Sequence, residues 1–186
     1  MKHLAVPYVF NSKPRIEFEI TDLDQIEERL RKSGFIDPGD NHQRFLYVVA
    51  FAVMTVGDRV LVVEKSSGKR VLGFGRPITW RSDIVGYNRR SFILQTLYDE
   101  LDIYVPGCKY TIRQIAFIHD PEHEYASLGC IFFMELEDEL QKVTVGDRLL
   151  RLERVEALKK SAFTGWSAMI LNYISVKKDV RYYKQI

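Results

Sequence analysis

The stretch QTLYDELDI (residues 95–103) closes the most regular helical pattern of the chain. Apolar side chains recur there at spacings of three and four residues, which places them on one face of a helix. We expect this helix to begin at Ser82 or Asp83 and to end at Asp102. The apolar face comprises Ile93, Leu94, Leu97 and Leu101.

A β-hairpin pattern precedes this helix and further strand patterns follow it. Phe45–Val56 and Arg59–Glu64 are rich in β-branched and aromatic residues, and Gly57-Asp58 between them is typical of a tight turn. The glycine-rich stretch GFGRPI (residues 73–78) then leads towards the helix. The remaining patterns predict strands at Tyr110–Ile118, Leu128–Leu136 and Val143–Val145, and a final helix at Thr164–Val176.

The first 42 residues read as an N-terminal extension of a domain that covers residues 43–186. Residues 14–20 alternate polar and apolar side chains, which indicates a strand or an extended arm. Thr21 and Asp22 can cap a short helix. The order of elements predicts an α/β (α+β) domain in which helices cover both sides of a mixed sheet, in one compact unit with the extension.

Composition limits the classes of protein that fit. The chain has 186 residues, 46% hydrophobic and 28% charged, which is typical of one globular domain. Its 27 Lys and Arg nearly balance its 25 Asp and Glu, so there is no strong nucleic-acid signal. The N-terminus lacks a signal-peptide pattern, and the apolar run near Leu46–Met54 is too short to span a bilayer as a helix. We therefore expect a cytoplasmic protein without a membrane partner.

Three segments of the sequence resemble one protein family. They are residues 73–78 (GFGRPI), residues 95–103 (QTLYDELDI) and residues 163–167 (FTGWS). Their order and spacing are similar to those of the bacterial MutT-like predicted phosphoesterases of the Nudix superfamily, over roughly Gln43 to Ile174. The Leu128-Gly129 pair matches a further tendency of that group. The resemblance implies a Nudix-like fold, with a mixed β-sheet sandwiched between helices.

This chain matches the structural positions of the Nudix box but differs at several positions that carry its catalytic and metal-binding residues. The box reads G-x5-E-x7-R-E-U-x-E-E-x-G-U, where U is aliphatic. In this chain Gln95 replaces the arginine and Thr96 replaces the first glutamate of the cluster, whereas Asp99 and Glu100 match the acidic pair. Asp102 stands in place of the last glycine.

The residues that differ from the Nudix box affect the expected binding of a metal ion. Nudix enzymes resemble one another in cleaving nucleoside diphosphates linked to another group, with Mg²⁺ or Mn²⁺ bound by carboxylates. The resemblance implies that Asp99 and Glu100 are remnants of the metal and catalytic site. Thr96 brings no negative charge, so any binding of Mg²⁺ or Mn²⁺ is expected to be weak.

The turn before the helix carries a cation where the family tends to have glycine. Gly75 and Arg76 lie at this turn, and Arg81 follows. We interpret these three residues as ligand-binding, because a guanidinium can hold a phosphate group. The structural alternatives stay open: a glycine turn or bulge at Gly75, and a solvated helix face at Asp99 and Glu100.

Three functions remain open from the sequence. The first is a Nudix-like protein that binds a nucleotide or another phosphate ligand with weak or no hydrolysis. The second is an active phosphohydrolase whose rearranged Mg²⁺ or Mn²⁺ site recruits Asp83, Glu64 or Glu122. The third is a protein-interaction module, for which we expect an apolar, filled pocket; a homodimer is a further expectation. The polar segment His119–His123 is interpreted as a surface loop that could border the pocket.

Overall fold

The computed structural model describes residues 1–7, 17–37, 45–84, 88–120, 127–137, 140 and 143–182. Strands and helices alternate irregularly along these ranges, and short 3₁₀ turns follow α1 and precede α3. The elements are β1 (His3–Pro7), β2 (Glu17–Thr21), α1 (Leu23–Arg29), β3 (Gly34–Ile36), β4 (Phe45–Val56), β5 (Arg59–Lys65), β6 (Arg70–Leu72), β7 (Phe74–Pro77), α2 (Arg89–Tyr104), β8 (Tyr110–Asp120), β9 (Ser127–Leu136), β10 (Val143–Val145), β11 (Arg148–Arg154) and α3 (Gly165–Tyr182).

The described strands join into one mixed sheet. Its main path runs β10-β11-β5-β4-β9-β8-β2, with β1 and β7 on β4, β3 on β1, and β6 on β5. Strands β4 and β9 are parallel over Tyr47 to Thr55, and the other pairings are antiparallel. The predicted fold class, a mixed sheet with helices, is confirmed.

Helices cover the two sides of this sheet and define two apolar clusters. Ile26 of α1 and Phe92, Leu97 and Leu101 of α2 pack with one set of strand side chains. Ile170 of α3 and its neighbours pack with the other set. None of the helices in the described ranges is long and apolar enough to cross a bilayer.

The N-terminal strands are integral to the sheet. Strand β1 pairs with β3 and β4, and β2 extends the sheet beyond β8. The Asp22 side chain accepts a hydrogen bond from the Gln25 amide at 2.8 Å, which caps α1 as the sequence predicted. The predicted boundary after residue 42 lies outside the described residues.

The long helix begins later than its pattern suggested. The side chain of Asn88 accepts a hydrogen bond from the Ser91 amide at 2.7 Å, so α2 begins at Arg89, not at Ser82 or Asp83. An asparagine that satisfies a free amide of the first turn fixes a helix start more firmly than apolar spacing does. The sequence also missed β1, β3, β6, β7 and β11, because short or charged segments give weak strand patterns.

Candidate functional site

A cavity of about 580 Å³ lies where β5 diverges from β4. These strands pair only at Thr55–Val60 and Val56–Arg59; further along, β4 pairs with β7 while β5 pairs with β6 and β11. The gap between the two groups of strands forms the cavity. It is lined by His3, Tyr47, Val49, Phe51, Val63, Lys65, Lys69, Val71, Gly73, Phe74, Gly75, Arg76, Pro77, Ser127, Arg148 and Trp166.

The chemistry of the lining is cationic and aromatic. Lys65, Lys69, Arg76 and Arg148 supply positive charge, and no aspartate or glutamate is among the lining residues. Four aromatic side chains share the walls with these cations: Tyr47, Phe51, Phe74 and Trp166. Such a wall favours a ligand that combines negative charge with an apolar or planar part.

Arg76 connects the cavity to the helix that carries the acidic pair. It lies on β7, opposite Ala50 of β4, and its side chain lines the cavity. Its Nη2 donates to Asp99 Oδ2 at 2.9 Å, and its Nε lies 3.4 Å from Glu100 Oε1. The structure therefore brings together three residues that the sequence singled out separately.

Asp99 is also held by two further side chains. Gln95 Nε2 donates to Asp99 Oδ1 at 2.8 Å, and Arg81 Nη1 makes a close ion pair with Asp99 Oδ2. Gln95, which the resemblance aligns with the arginine of the box, thus lies one helical turn from Asp99 and holds its carboxylate. Both oxygens of Asp99 are thus engaged by donors of this chain.

Glu100 is the buried member of the pair. Its side chain is 8% exposed, and burial raises the pKa of its carboxyl above the ordinary value of 4.5. The positive charges of Arg76 and Arg148 oppose this effect, whereas Asp99 adds to it. A desolvated carboxylate of this kind requires a nearby cation, and Arg76 provides one.

With its carboxylates engaged by arginines, the donor set is not free to hold a divalent metal in this arrangement. Mg²⁺ and Mn²⁺ need several oxygen ligands free to converge on one point. Thr96, the third position of the site, is a buried hydroxyl, and Asp99 and Glu100 are turned to guanidinium groups. Within the described ranges, no group of three or more His, Cys, Asp or Glu side chains could hold a metal ion.

The acidic residues considered as replacement ligands differ in their distance from the pair Asp99 and Glu100. Asp83 accepts hydrogen bonds from Arg81 at 2.6 and 3.0 Å, so it is part of the same arginine-rich cluster. Glu64 is paired with Arg151 at 2.8 Å, on a different face of β5. Glu122, with most of the His119–His123 segment, is outside the described residues.

The glycines of the turn have a packing requirement of their own. A Cβ at Gly75 would stand 2.1 Å from the Ala50 carbonyl oxygen, and one at Gly73 would stand 2.0 Å from that of Ala52. Gly73 also has φ +95°, which disfavours other residues. Close approach of β7 to β4 therefore explains both glycines, and Gly75 lines the cavity as a consequence.

The C-terminal motif is explained by the same kind of contact. Trp166 packs so closely on Gly129 that a Cβ there would stand 2.8 Å from its ring. Ser167 Oγ accepts a hydrogen bond from the Leu72 amide at 3.0 Å and holds β6 against α3. One wall of the cavity is therefore positioned by two motifs of the resemblance, Leu128-Gly129 and Trp166-Ser167.

Many lining residues were missed by the sequence reading, among them three cations and a histidine. Lys65 and Lys69 lie at the turn between β5 and β6, Arg148 begins a strand that the sequence did not predict, and His3 lies in the N-terminal extension. Isolated basic residues in turns are usually solvated, so their pattern gave no signal. Only the pairing of β5 with β11 brings Lys65 and Arg148 together.

Comparison with solved structures identifies the fold. The chain matches Tm1382, named as a candidate Nudix hydrolase, with a TM-score of 0.68 and 18% identity, covering 93% of this chain and 100% of that one. A Nudix hydrolase from Nitrosomonas europaea matches at TM-score 0.48 and 11% identity, over 87% of this chain and 85% of that one. No protein-family model and no curated protein matches the chain. The likeness to Tm1382 confirms the Nudix-like fold that the sequence motifs implied.

Proposed function

We propose that this Nudix-fold protein binds a nucleotide or another phosphate ligand in its cavity, with weak or no hydrolysis. One observation carries the proposal: the guanidinium groups of Arg76 and Arg81 occupy the carboxylate pair that a metal ion would need. Fixed protein cations would then bind the phosphate directly. Gly75 contributes a close backbone approach, and Arg76 is the principal phosphate contact.

The balance of charges around the cavity supports binding of the ligand without a metal ion. Asp99 and Glu100 balance Arg76 and Arg81, so the acidic pair does not repel an anion as two free carboxylates would. The remaining cations of the lining then give the cavity a net positive charge. The aromatic wall supplies stacking surface for a planar group such as a nucleobase.

The proposal is tested by calorimetric titration with ADP in the presence of EDTA. We expect the wild-type protein to bind ADP, and Arg76→Gln to bind it about tenfold more weakly, because a charged hydrogen bond is lost. Arg90→Gln removes an exposed arginine that is not among the lining residues and is the matched control.

The expected homodimer is tested separately, by analytical ultracentrifugation of the same wild-type preparation.

Hydrolysis is measured separately with the same variants. Release of AMP from ADP in Mn²⁺ that disappears in Glu100→Gln would contradict weak or absent hydrolysis and favour the rearranged enzyme. Conversely, Thr96→Glu combined with Arg76→Gln should gain Mn²⁺ binding, since three carboxylates become available and one competing cation is removed. Thr96→Glu alone should gain less, because Arg76 still engages the carboxylates.

A further inference from the structure

Two cations stand directly opposite each other at the rim of the cavity. Lys65 of β5 and Arg148 of β11 are register partners in an antiparallel pair. Side chains so placed have Cβ atoms about 4.5–5.5 Å apart, and like charges there are destabilising. The same strands also place Arg59 opposite Arg154, but Arg154 has an acidic neighbour in Asp58, 3.8 Å away, and neither arginine is among the lining residues. Lys65 and Arg148 both line the cavity.

A third cation joins this pair through the β5–β6 turn. The Lys65 amide donates to the Lys69 carbonyl at 2.9 Å, which brings the two lysines to the base of one tight turn. Neither ammonium group has an ion-pair partner within the described part of the chain. Within the described residues, Arg148 forms an ion pair only with the exposed Asp147, whose Oδ1 lies 3.9 Å from its Nε, at the limit of such a contact.

Arg148 is held in place by aromatic and electrostatic contacts. Its guanidinium lies over the Tyr104 ring, 5.4 Å from the centroid. It also acts on the carboxyl of Glu100, which Arg76 contacts directly. Arg148 and Arg76 therefore lie on the same side of the cavity, next to one buried carboxylate.

We propose that Lys65, Lys69 and Arg148 form a second anion subsite, which binds a further negatively charged group of the ligand beside the phosphate held by Arg76. The inference rests on the proposed function, because it assigns the first anionic group to Arg76. The ligand class is a molecule with at least two adjacent anionic groups, such as a diphosphate. Protein side chains, and not a divalent cation, neutralise both groups.

Calorimetric titrations with inorganic pyrophosphate and orthophosphate in EDTA test the subsite. We expect wild-type protein to bind pyrophosphate at least about tenfold more tightly, because only pyrophosphate reaches both subsites. Lys65→Gln and Arg148→Gln should remove most of this preference and leave orthophosphate binding unchanged. Lys159→Gln, an exposed lysine that is not among the lining residues, is the control and should behave as wild type.

Charge reversal gives a readout that a structural role would not produce. Lys65→Glu places opposite charges on the β5–β11 pair, so the ligand-free protein should melt about 1–4 °C higher. The same variant should lose the pyrophosphate preference. A substitution that raises the melting temperature while it removes binding indicates that the cations are kept for a ligand.

The outcomes separate the two proposals. Unchanged pyrophosphate affinity in Lys65→Gln and Arg148→Gln, with loss in Arg76→Gln, would overturn the subsite and leave the proposed function standing. Loss in the subsite variants with no effect of Arg76→Gln would support the subsite and contradict the role of Arg76. No binding of either phosphate by the wild-type protein would overturn both.

Discussion

Two faces of the same three strands, β5, β6 and β11, carry charge in different ways. On one, which we call the paired face, every charged side chain has a partner: Arg70 Nη2 lies 2.6 Å from Glu153 Oε2, and Arg151 lies 2.6 Å from Glu153 and 2.8 Å from Glu64. On the other, the cavity face, Lys65 and Arg148 stand opposite each other without an acidic neighbour in the register. The same backbone therefore supports both arrangements.

The difference separates what the fold needs from what the cavity needs. Cross-strand acid–base pairs stabilise a sheet, and the paired face shows that these strands accommodate them. An acidic residue opposite Lys65 would stabilise the cavity face equally well. No acidic residue stands there, and the cavity beside the pair is lined by further cations, which is the arrangement from which we infer an anionic ligand.

The largest effect is expected from breaking the paired face. Glu153→Ala removes the carboxylate that Arg70 and Arg151 share, at sites only about a quarter to two-fifths exposed. We expect a loss of about 1–3 kcal/mol in the free energy of unfolding, because two partly buried cations lose a partner. Urea denaturation measures it, and ADP binding should not change.

Glu156→Ala is the control for that substitution. Its side chain is 69% exposed and lies only 3.9 Å from Arg154, so the change in stability should be within about 0.5 kcal/mol. Equal losses in the two variants would contradict the view that the paired face stabilises the sheet through its ion pairs.

A smaller, pH-dependent effect is expected at Glu100, which borders the cavity face. Because burial raises the pKa of Glu100 in the folded state, this carboxyl binds more protons in the folded than in the unfolded protein. Its contribution to stability is present below the unfolded value near 4.5 and is lost as pH rises through the raised pKa.

Glu100→Gln removes this titration. The unfolding free energy of the variant, relative to wild type, should therefore increase as the pH is raised from about 4 towards neutrality. Denaturation curves at several pH values measure the difference. A difference that decreases with pH would mean that the ion pair with Arg76 outweighs burial.

The smallest effect concerns salt. Repulsion between Lys65 and Arg148 is screened by ions, so added NaCl should stabilise the cavity face by about 0.2–0.5 kcal/mol. Lys65→Gln should show less of this stabilisation than wild type, when both are compared in thermal unfolding at low and moderate salt. The same response in both proteins would mean that the repulsion is negligible. ADP binding to wild type should weaken over the same range, because the cavity cations are screened too.

Much of the architecture was readable from local patterns. The limits of β4 and β10 match the structure, and β8, β9 and α3 were predicted within a few residues. Three residues of the Nudix resemblance, Gly75, Gly129 and Trp166, lie where backbones or rings approach closely. Close packing of this kind can be recognised in the sequence because few residue types fit into so little space.

The candidate site was readable only in part. The sequence singled out Arg76, Arg81, Asp99 and Glu100, and their assignment as metal-ligating or ligand-binding stays a prediction. The sequence did not show that the arginines form ion pairs with the acidic residues, because neither spacing nor residue type determines which side chains are in contact. The alternative of a filled apolar pocket does not match the open cavity.

The sequence by itself determined the longer strands and most of the long helix, because each depends on neighbours within a few residues. The erosion of the metal motif stays a prediction from the resemblance. Tertiary structure decided the electrostatics of the site. Arg76 meets Asp99 across 23 residues of chain, and Arg151 meets Glu64 across 87. Lys65 meets Arg148 only through the register of β5 and β11. Charge pairing depends on distance in space, so the same residues can form a metal site or an anion receptor until the fold sets which of them touch.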